Sequence, residues 1–358
     1  MPALLPDTLD AALGDAARDT QPLREAFERR DPFRHLVVDG FLEPTFARAL
    51  LDQFPPFERG DARNENGLTG GKAVVERIRE LGPAYAAIDD LVRSRPFLAW
   101  LESVTGIEDL RYDPWYFGGG THENRHGQEL DPHVDFNRHP VEGWHRRLNL
   151  IVYLNPEWED DWGGALELHS DPRAADDRVT RILPLFNRAV LFETTEWSWH
   201  GFERIALPQR STDTSRRSIA LYFYTLERQP EETAPTHATI YVDRPLPSRF
   251  APGHVLDAGD VHELQVLLTR RDTHVRRLYA DNGELQRQME EWGGPNRVAL
   301  FLRGLRSIFA HTRRRRGLPT GAEFKQSFVP FVRWLPATLR EPLRRAWRSV
   351  NRAPPRIE

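Results

Sequence analysis

Apolar and polar positions follow two different periods along this chain, and the change of period divides it. Near the start, Leu9, Ala12, Leu13, Ala16 and Ala17 recur at helical spacing, which predicts a polar helix with a thin apolar stripe within residues 1–30. Residues 35–38 read as a strand. Residues 43–54 read as a helix that Pro55-Pro56 ends. Residues 60–71 are rich in Gly and Asn and read as a loop, with helices expected at 72–81 and 84–105. From about residue 110 to 225 the pattern shortens to β-rich runs such as Leu148-Asn149-Leu150-Ile151-Val152-Tyr153, separated by Gly and Pro turns. Many short strands predict a sandwich or closed jelly roll. Residues 229–252 are Pro-rich and read as a linker. A second helical stripe then follows at Val261, Leu264, Leu268, Val275, Leu278, Leu285 and Met289, interrupted at Asn282-Gly283. The expected organisation is an α+β body over 1–228 with its core at 106–228, a linker over 229–255, and a helical region over 256–358.

Composition narrows the picture. At 358 residues the chain can bury a full core. It has no cysteine, which excludes disulfides, zinc ribbons and a thiolate nucleophile and fits a cytoplasmic setting. No run of 18 apolar residues predicts a membrane span, and the N-terminus lacks the apolar stretch of a signal peptide. The net charge of −4 hides an asymmetry. Residues 300–358 hold 14 basic and 3 acidic side chains, nearly all the cations being Arg, so the rest of the chain is strongly acidic.

The candidate chemistry lies in the β-rich stretch. His133 and Asp135 stand two apart in Leu130-Asp131-Pro132-His133-Val134-Asp135-Phe136, so on a strand they share one face. His200, in Trp199-His200-Gly201, could complete a set from a facing strand. Two imidazoles and a carboxylate with open positions left over form the facial triad that suits non-haem Fe(II). A surface His-Asp pair with a core histidine is the plain alternative.

The order of motifs adds to this. After His133-Val134-Asp135 come Tyr153-Leu154-Asn155, Gly163-Gly164-Ala165-Leu166, His200, and Arg216-Arg217 opening a run to Tyr224. The series resembles the 2-oxoglutarate/Fe(II) dioxygenases of the prolyl-hydroxylase-like group, and residues 32–42 are similar to that group's entry segment. The resemblance covers about residues 30–228. It implies a distorted double-stranded β-helix, cupin-like, with flanking N-terminal helices. It also implies Fe(II), 2-oxoglutarate and O2 as reactants, ascorbate as a supporting reductant, and succinate and CO2 as products of a hydroxylation. Asp135 stands where related halogenases carry Gly or Ala, which points to hydroxylation or desaturation.

Carried over residue by residue, His133, Asp135 and His200 hold the iron. Arg217 matches the basic residue that pairs with the distal carboxylate of 2-oxoglutarate, and a one-residue slip would give that role to Arg216. Tyr153 matches a tyrosine that reaches the same carboxylate. Asn149 and Ile151 share its face and could flank the co-substrate, and Leu166 could pack on its chain. Tyr112 and Tyr116 are candidates for a further hydrogen bond. Residues 118–126, opened by three glycines, read as a substrate lid. Arg138, Arg146 and Arg147 could meet an acidic substrate or be solvated.

Two other classes stay open: a cupin-like metal enzyme without 2-oxoglutarate, and a binding protein on the same fold. The substrate, a small molecule or a peptidyl residue, is not legible, and no nucleic-acid motif is found. The basic tail could contact an anionic surface, dock on the acidic body, or be a solvated face. The heptad-like stripe from Val261 to Met289 leaves a homodimer open.

Overall fold

The computed structural model describes residues 5–29, 31–60, 73–208, 214–244, 246–247 and 249–293. These fall in two units, residues 1–250 and 251–358.

In the first unit, three short helices, α1 (Leu9–Ala12), α2 (Asp15–Arg18) and α3 (Thr20–Phe27), replace the single expected helix. The chain breaks at Gly14, whose N–H donates to the Phe41 carbonyl at 2.9 Å rather than continuing a helix. Strand β1 (His35–Asp39) and helix α4 (Pro44–Asp52) come next, the helix capped by the Glu43 carboxylate on the Phe46 N–H. The helix expected at 72–81 is instead a strand, β2 (Ala73–Val75), followed by a 3-10 turn over Ile78–Leu81. β-Branched Val74 and Val75 favour the pleated edge they occupy. Helices α5 (Pro83–Arg93) and α6 (Arg95–Thr105) are split at Ser94, which caps α6, and Gly106 ends α6 in the left-handed region. The loop expected at 60–71 falls, apart from Gly60, outside the described residues.

The β-rich stretch supplies β3 (Arg111–Tyr112), β4 (Gly120–Asn124), β5 (Leu130–Val134), β6 (His145–Tyr153), β7 (Leu166–His169), β8 (Val179–Ile182), β9 (Arg188–Glu193), β10 (Trp199–Phe202) and β11 (Arg216–Thr225). A last short strand is β12 (Ile240–Tyr241). One antiparallel sheet runs β1-β9-β6-β11-β4-β2, with β3 also on β11; the other runs β12-β5-β10-β7-β8. This is the distorted double-stranded β-helix that the sequence suggests. The stretch expected to be a linker is therefore partly sheet, because the first unit takes in β12 and continues to residue 250.

Strand alternation sets what faces what. On β6, Leu148, Leu150 and Val152 are buried in one cluster with Ile88, Phe97 and Leu101 of the helices. Asn149 and Ile151 face the other way, into the space between the sheets. On β11, Ile219, Leu221 and Phe223 join the helix-side cluster, whereas Arg216, Ser218, Ala220 and Tyr222 face inward. A second cluster of Phe33, Tyr153, Leu166, Leu168, Ile182, Val190 and Phe192 joins the two sheets at their β1 and β8 ends. The two sheets are joined there by packing, and the edge strands at their other ends are β2 and β12.

In the second unit, α7 (Ala258–Gly293) is one continuous helix. Asn282-Gly283 does not break it: one glycine inside a long helix costs about 1 kcal/mol, which its neighbours can offset. The basic tail, residues 300–358, lies outside the described residues.

Candidate active site

His133 and His200 face each other across the β5–β10 pairing, with ring centroids 4.2 Å apart. Asp135, just past the end of β5, brings its carboxylate to both: Oδ1 lies 3.8 Å from His133 Nε2 and Oδ2 lies 3.5 Å from His200 Nε2. The three ligand atoms all lie within 4.8 Å of one another. Each imidazole is oriented from behind. His133 Nδ1 sits 2.9 Å from the Asp131 carbonyl and His200 Nδ1 sits 2.9 Å from the Ser198 carbonyl. A carbonyl only accepts, so both Nδ1 atoms carry the proton and both Nε2 lone pairs are available to a metal. Burial pushes the His200 pKa down and outweighs the opposing pull of Asp135, which keeps the ring neutral as a ligand must be. Two neutral imidazoles and one carboxylate fit Fe(II) in chemistry and in placement.

Asp135 has its own support. Burial would raise its pKa, but the Arg146 guanidinium, the two histidines and the Asn149 amide together hold it well below the usual carboxylate range. Arg146 Nη2 lies 3.2 Å from Asp135 Oδ2, and Asn149 Nδ2 donates to the same oxygen at 2.7 Å. Arg146 Nε and Nη2 in turn donate to Asn149 Oδ1, at 3.0 and 2.8 Å. The guanidinium stacks between Tyr222, at 3.7 Å, and Phe136, at 4.4 Å. Burial pushes the Tyr222 phenol up to about 12, so it stays neutral and donates to the Gly118 carbonyl at 3.0 Å.

The trio opens into a cavity of about 730 Å³. At its inner end Arg216 is buried, with Nε donating to the Gly164 carbonyl at 2.7 Å and Nη2 donating to the Tyr153 hydroxyl at 3.1 Å. Its guanidinium lies over the Phe202 ring at 4.3 Å. Gly164 makes this approach possible: its φ is +71°, and a Cβ there would sit 3.0 Å from Trp158 and 3.4 Å from the Arg216 side chain. Among the described residues no carboxylate reaches ion-pair distance of Arg216. Its charge faces the cavity with no counter-ion among the described residues.

The expected roles sort as follows. His133, Asp135 and His200 come together as predicted. The assignment of Arg217 is corrected: β11 turns Arg216 inward and Arg217 to the helix side, where its Nε donates to Ser215 Oγ at 3.0 Å and its guanidinium lies over Phe54. Tyr153 and Leu166 are buried at the inner end of the site as expected, and Ile151 lines the cavity. Asn149 faces the cavity, but its amide is spent on Asp135 and Arg146 rather than offered to a co-substrate. Tyr112 and Tyr116 do not reach the cavity; Tyr116 donates to Asp89 at 2.8 Å. The glycine lid is corrected too. Gly120 opens β4 with a φ of +90°, and a Cβ there would fall 2.1 Å from the Val75 carbonyl oxygen, so this is a tightly packed strand entry. Arg147 pairs with Glu193 at 3.2 Å, and Arg138 donates to the Gly143 carbonyl at 3.3 Å. The sequence reading missed the support role of Arg146, Phe202 beneath Arg216, and Tyr241 beside His133.

Residues 119–224 match the family model of the 2OG-Fe(II) oxygenase superfamily. The chain carries a 2-oxoglutarate/Fe(II) oxygenase domain. A curated relative, the prolyl 3-hydroxylase OGFOD1 of Mus musculus, is 26% identical over 216 residues, which cover 56% of this chain and 34% of the mouse protein. The Xenopus laevis protein of the same name is 33% identical over 89 residues, 24% of this chain and 17% of that one. The chain thus spans about a third or less of the length of these relatives. Among solved structures, the Trichoplax adhaerens prolyl hydroxylase in complex with a hypoxia-inducible-factor peptide aligns with a TM-score of 0.43 at 16% identity, over 58% of this chain and 90% of that one. A Pseudomonas putida prolyl-4-hydroxylase aligns with a TM-score of 0.37 at 17% identity, over 58% and 95%. Among the described residues of the oxygenase chain, no helix is long and apolar enough to cross a membrane.

Proposed function

We propose that this oxygenase couples oxidation of 2-oxoglutarate to hydroxylation of an unactivated C–H bond, releasing succinate and CO2. The observation that carries this reading is Arg216, a buried cation facing the metal cavity with no carboxylate partner among the described residues. A buried charge without a partner is costly, and a dicarboxylate that binds the metal at one end would bring the missing counter-ion at the other. A metal enzyme without 2-oxoglutarate would have no use for this arginine. Iron and 2-oxoglutarate, when bound, supply the activation of O2 that such a bond requires. The chain does the rest. His133, Asp135 and His200 hold one face of the ion, Arg146 and Asn149 keep Asp135 ionised and aimed, and Arg216 with Tyr153 fixes the co-substrate. Ile151, Leu166 and Phe202 line that end with apolar surface and keep water from it.

The name of the mouse relative makes a peptidyl proline the first substrate to test. The assay is succinate formation with Fe(II), 2-oxoglutarate and a pool of proline-containing peptides, with mass spectrometry for the gain of one oxygen. His133→Ala, Asp135→Ala and His200→Ala are each expected to lose bound iron and turnover while keeping the circular dichroism of the parent. Full iron occupancy in any two of them would refute the metal assignment.

For the Arg-rich C-terminal sequence we propose binding to an anionic surface, supported by its 14 basic against 3 acidic side chains over residues 300–358. Salt-sensitive binding of the full chain to anionic vesicles, lost when residues 256–358 are removed, would support it, and no such binding at low salt would refute it. A cytoplasmic location belongs to the same proposal and is checked by fractionation.

A further inference from the structure

The oxygenase match ends at residue 224, yet one wall of the metal cavity comes from beyond it. β12 pairs with β5 in the register Ile240↔Val134 and Tyr241↔His133. Direct cross-strand partners project to the same face of a sheet, so Tyr241 shares the face of the metal ligand. Its ring lies 5.2 Å from the His133 ring, inclined by 31°, and both Tyr241 and Thr239 line the cavity. The segment is tied down on both sides of this point. Asn137 Nδ2 donates to the Pro235 carbonyl at 2.8 Å, and the His237 N–H donates to Asn137 Oδ1 at 3.1 Å. Beyond the strand, the Val242 N–H donates to the Pro132 carbonyl at 2.8 Å, and Arg244 Nη2 donates to Glu167 at 2.6 Å.

The position of this wall gives it a role. Arg216, Tyr153, Phe202 and Leu166 occupy the inner end of the cavity, next to the cluster that joins the sheets. Thr239 and Tyr241, before and on the edge strand β12, and Val74, Val75, Glu76 and Arg77, on and after the edge strand β2, line the same cavity. Both edge strands thus contribute to the wall of the cavity that holds the metal ligands. We propose that β12 is the substrate-selecting wall of the oxygenase and that Tyr241 is its specificity-determining residue, presenting an aromatic face to an apolar part of the substrate beside His133. This rests on the proposed hydroxylase reading.

The test uses the full chain with Tyr241→Ala and Tyr241→Phe. Fe(II) content and anaerobic 2-oxoglutarate affinity are read by metal analysis and calorimetry, and product is read on the proline-containing peptide pool. Tyr241→Ala should keep iron and 2-oxoglutarate binding within about threefold of the parent. It should raise the KM for the best peptide, or lower the ratio of product to succinate, by about tenfold, the size of one lost aromatic contact. Tyr241→Phe should recover most of that loss. An alanine variant with parental KM and coupling would overturn the proposal. So would one that loses iron, since Tyr241 would then be a prop for His133. A parent that forms no hydroxylated product refutes the reading beneath it instead, which keeps the two failures distinct.

Discussion

Replacing Arg216 by Met separates the ligand-binding role of this residue from a structural one. The guanidinium makes two hydrogen bonds, to the Gly164 carbonyl and the Tyr153 hydroxyl, and no ion pair among the described residues. Losing those bonds costs about 1 kcal/mol each. Against this stands the desolvation of an uncompensated cation, several kcal/mol, which Met does not suffer. The unliganded variant should therefore be as stable as the parent or more so. Binding of 2-oxoglutarate should move the other way. A buried carboxylate–guanidinium pair is worth about 2–5 kcal/mol to the complex, which at 1.4 kcal/mol per decade is roughly a 30- to 4,000-fold loss of affinity. Calorimetric titration of the Fe(II)-loaded protein without O2 gives the affinity, and urea denaturation without ligands gives the stability. Unchanged 2-oxoglutarate affinity in Arg216→Met, or the same loss in Arg217→Ala with Arg216 intact, would refute the argument. A variant that simply unfolds would show that Arg216 is structural.

Asn149→Asp replaces the amide donor to Asp135 with a second carboxylate; iron affinity should fall about 10- to 100-fold, as expected for loss of a group orienting a metal ligand, read by competition with a chelator. Burial opposes protonation of His169, but the carboxylate of Glu167, 3.7 Å from Nε2, and that of Asp177, hydrogen-bonded to Nδ1 at 2.6 Å, outweigh it and raise its pKa. A raised folded value means that its contribution to stability is full below the unfolded value of about 6.5 and is lost as pH rises through the folded one. Urea midpoints measured across that range should show this slope in the parent and not in His169→Gln. A chain ending at Phe250 should keep iron and 2-oxoglutarate binding, whereas one ending at Arg228 should lose solubility, because removing β12 uncovers β5.

The metal trio could be read from sequence because its signal is local: two ligands at strand spacing, and a third histidine in a motif of its own. The arginine could not be placed to better than one residue for the same physical reason. Side chains on a strand alternate, Arg216 and Arg217 are neighbours, and the choice is made by long-range pairing, Arg216 with Asn124 and Ser218 with Tyr153. Arg146 was harder still. A fully buried arginine runs against composition and makes sense only once Asp135 and Asn149 are placed around it. β12 has two residues among prolines, too few to display a period, so its segment read as a linker. The glycines at 118–120 read as a lid because a sequence shows the freedom of glycine and not the carbonyl of Val75 that needs the space.

The cross-section of the sandwich divides labour between permanence and change. The two metal-ligand histidines, Arg216 and Tyr153 come from β5, β6, β10 and β11, all interior strands, and Asp135 directly follows β5. Part of the cavity wall comes from β2 and β12, edge strands with one neighbour each. Substitutions there change that wall without disturbing a core partner on both sides. A scaffold of this kind can be retuned to new substrates by drift at its margins while the reaction at its centre stays the same.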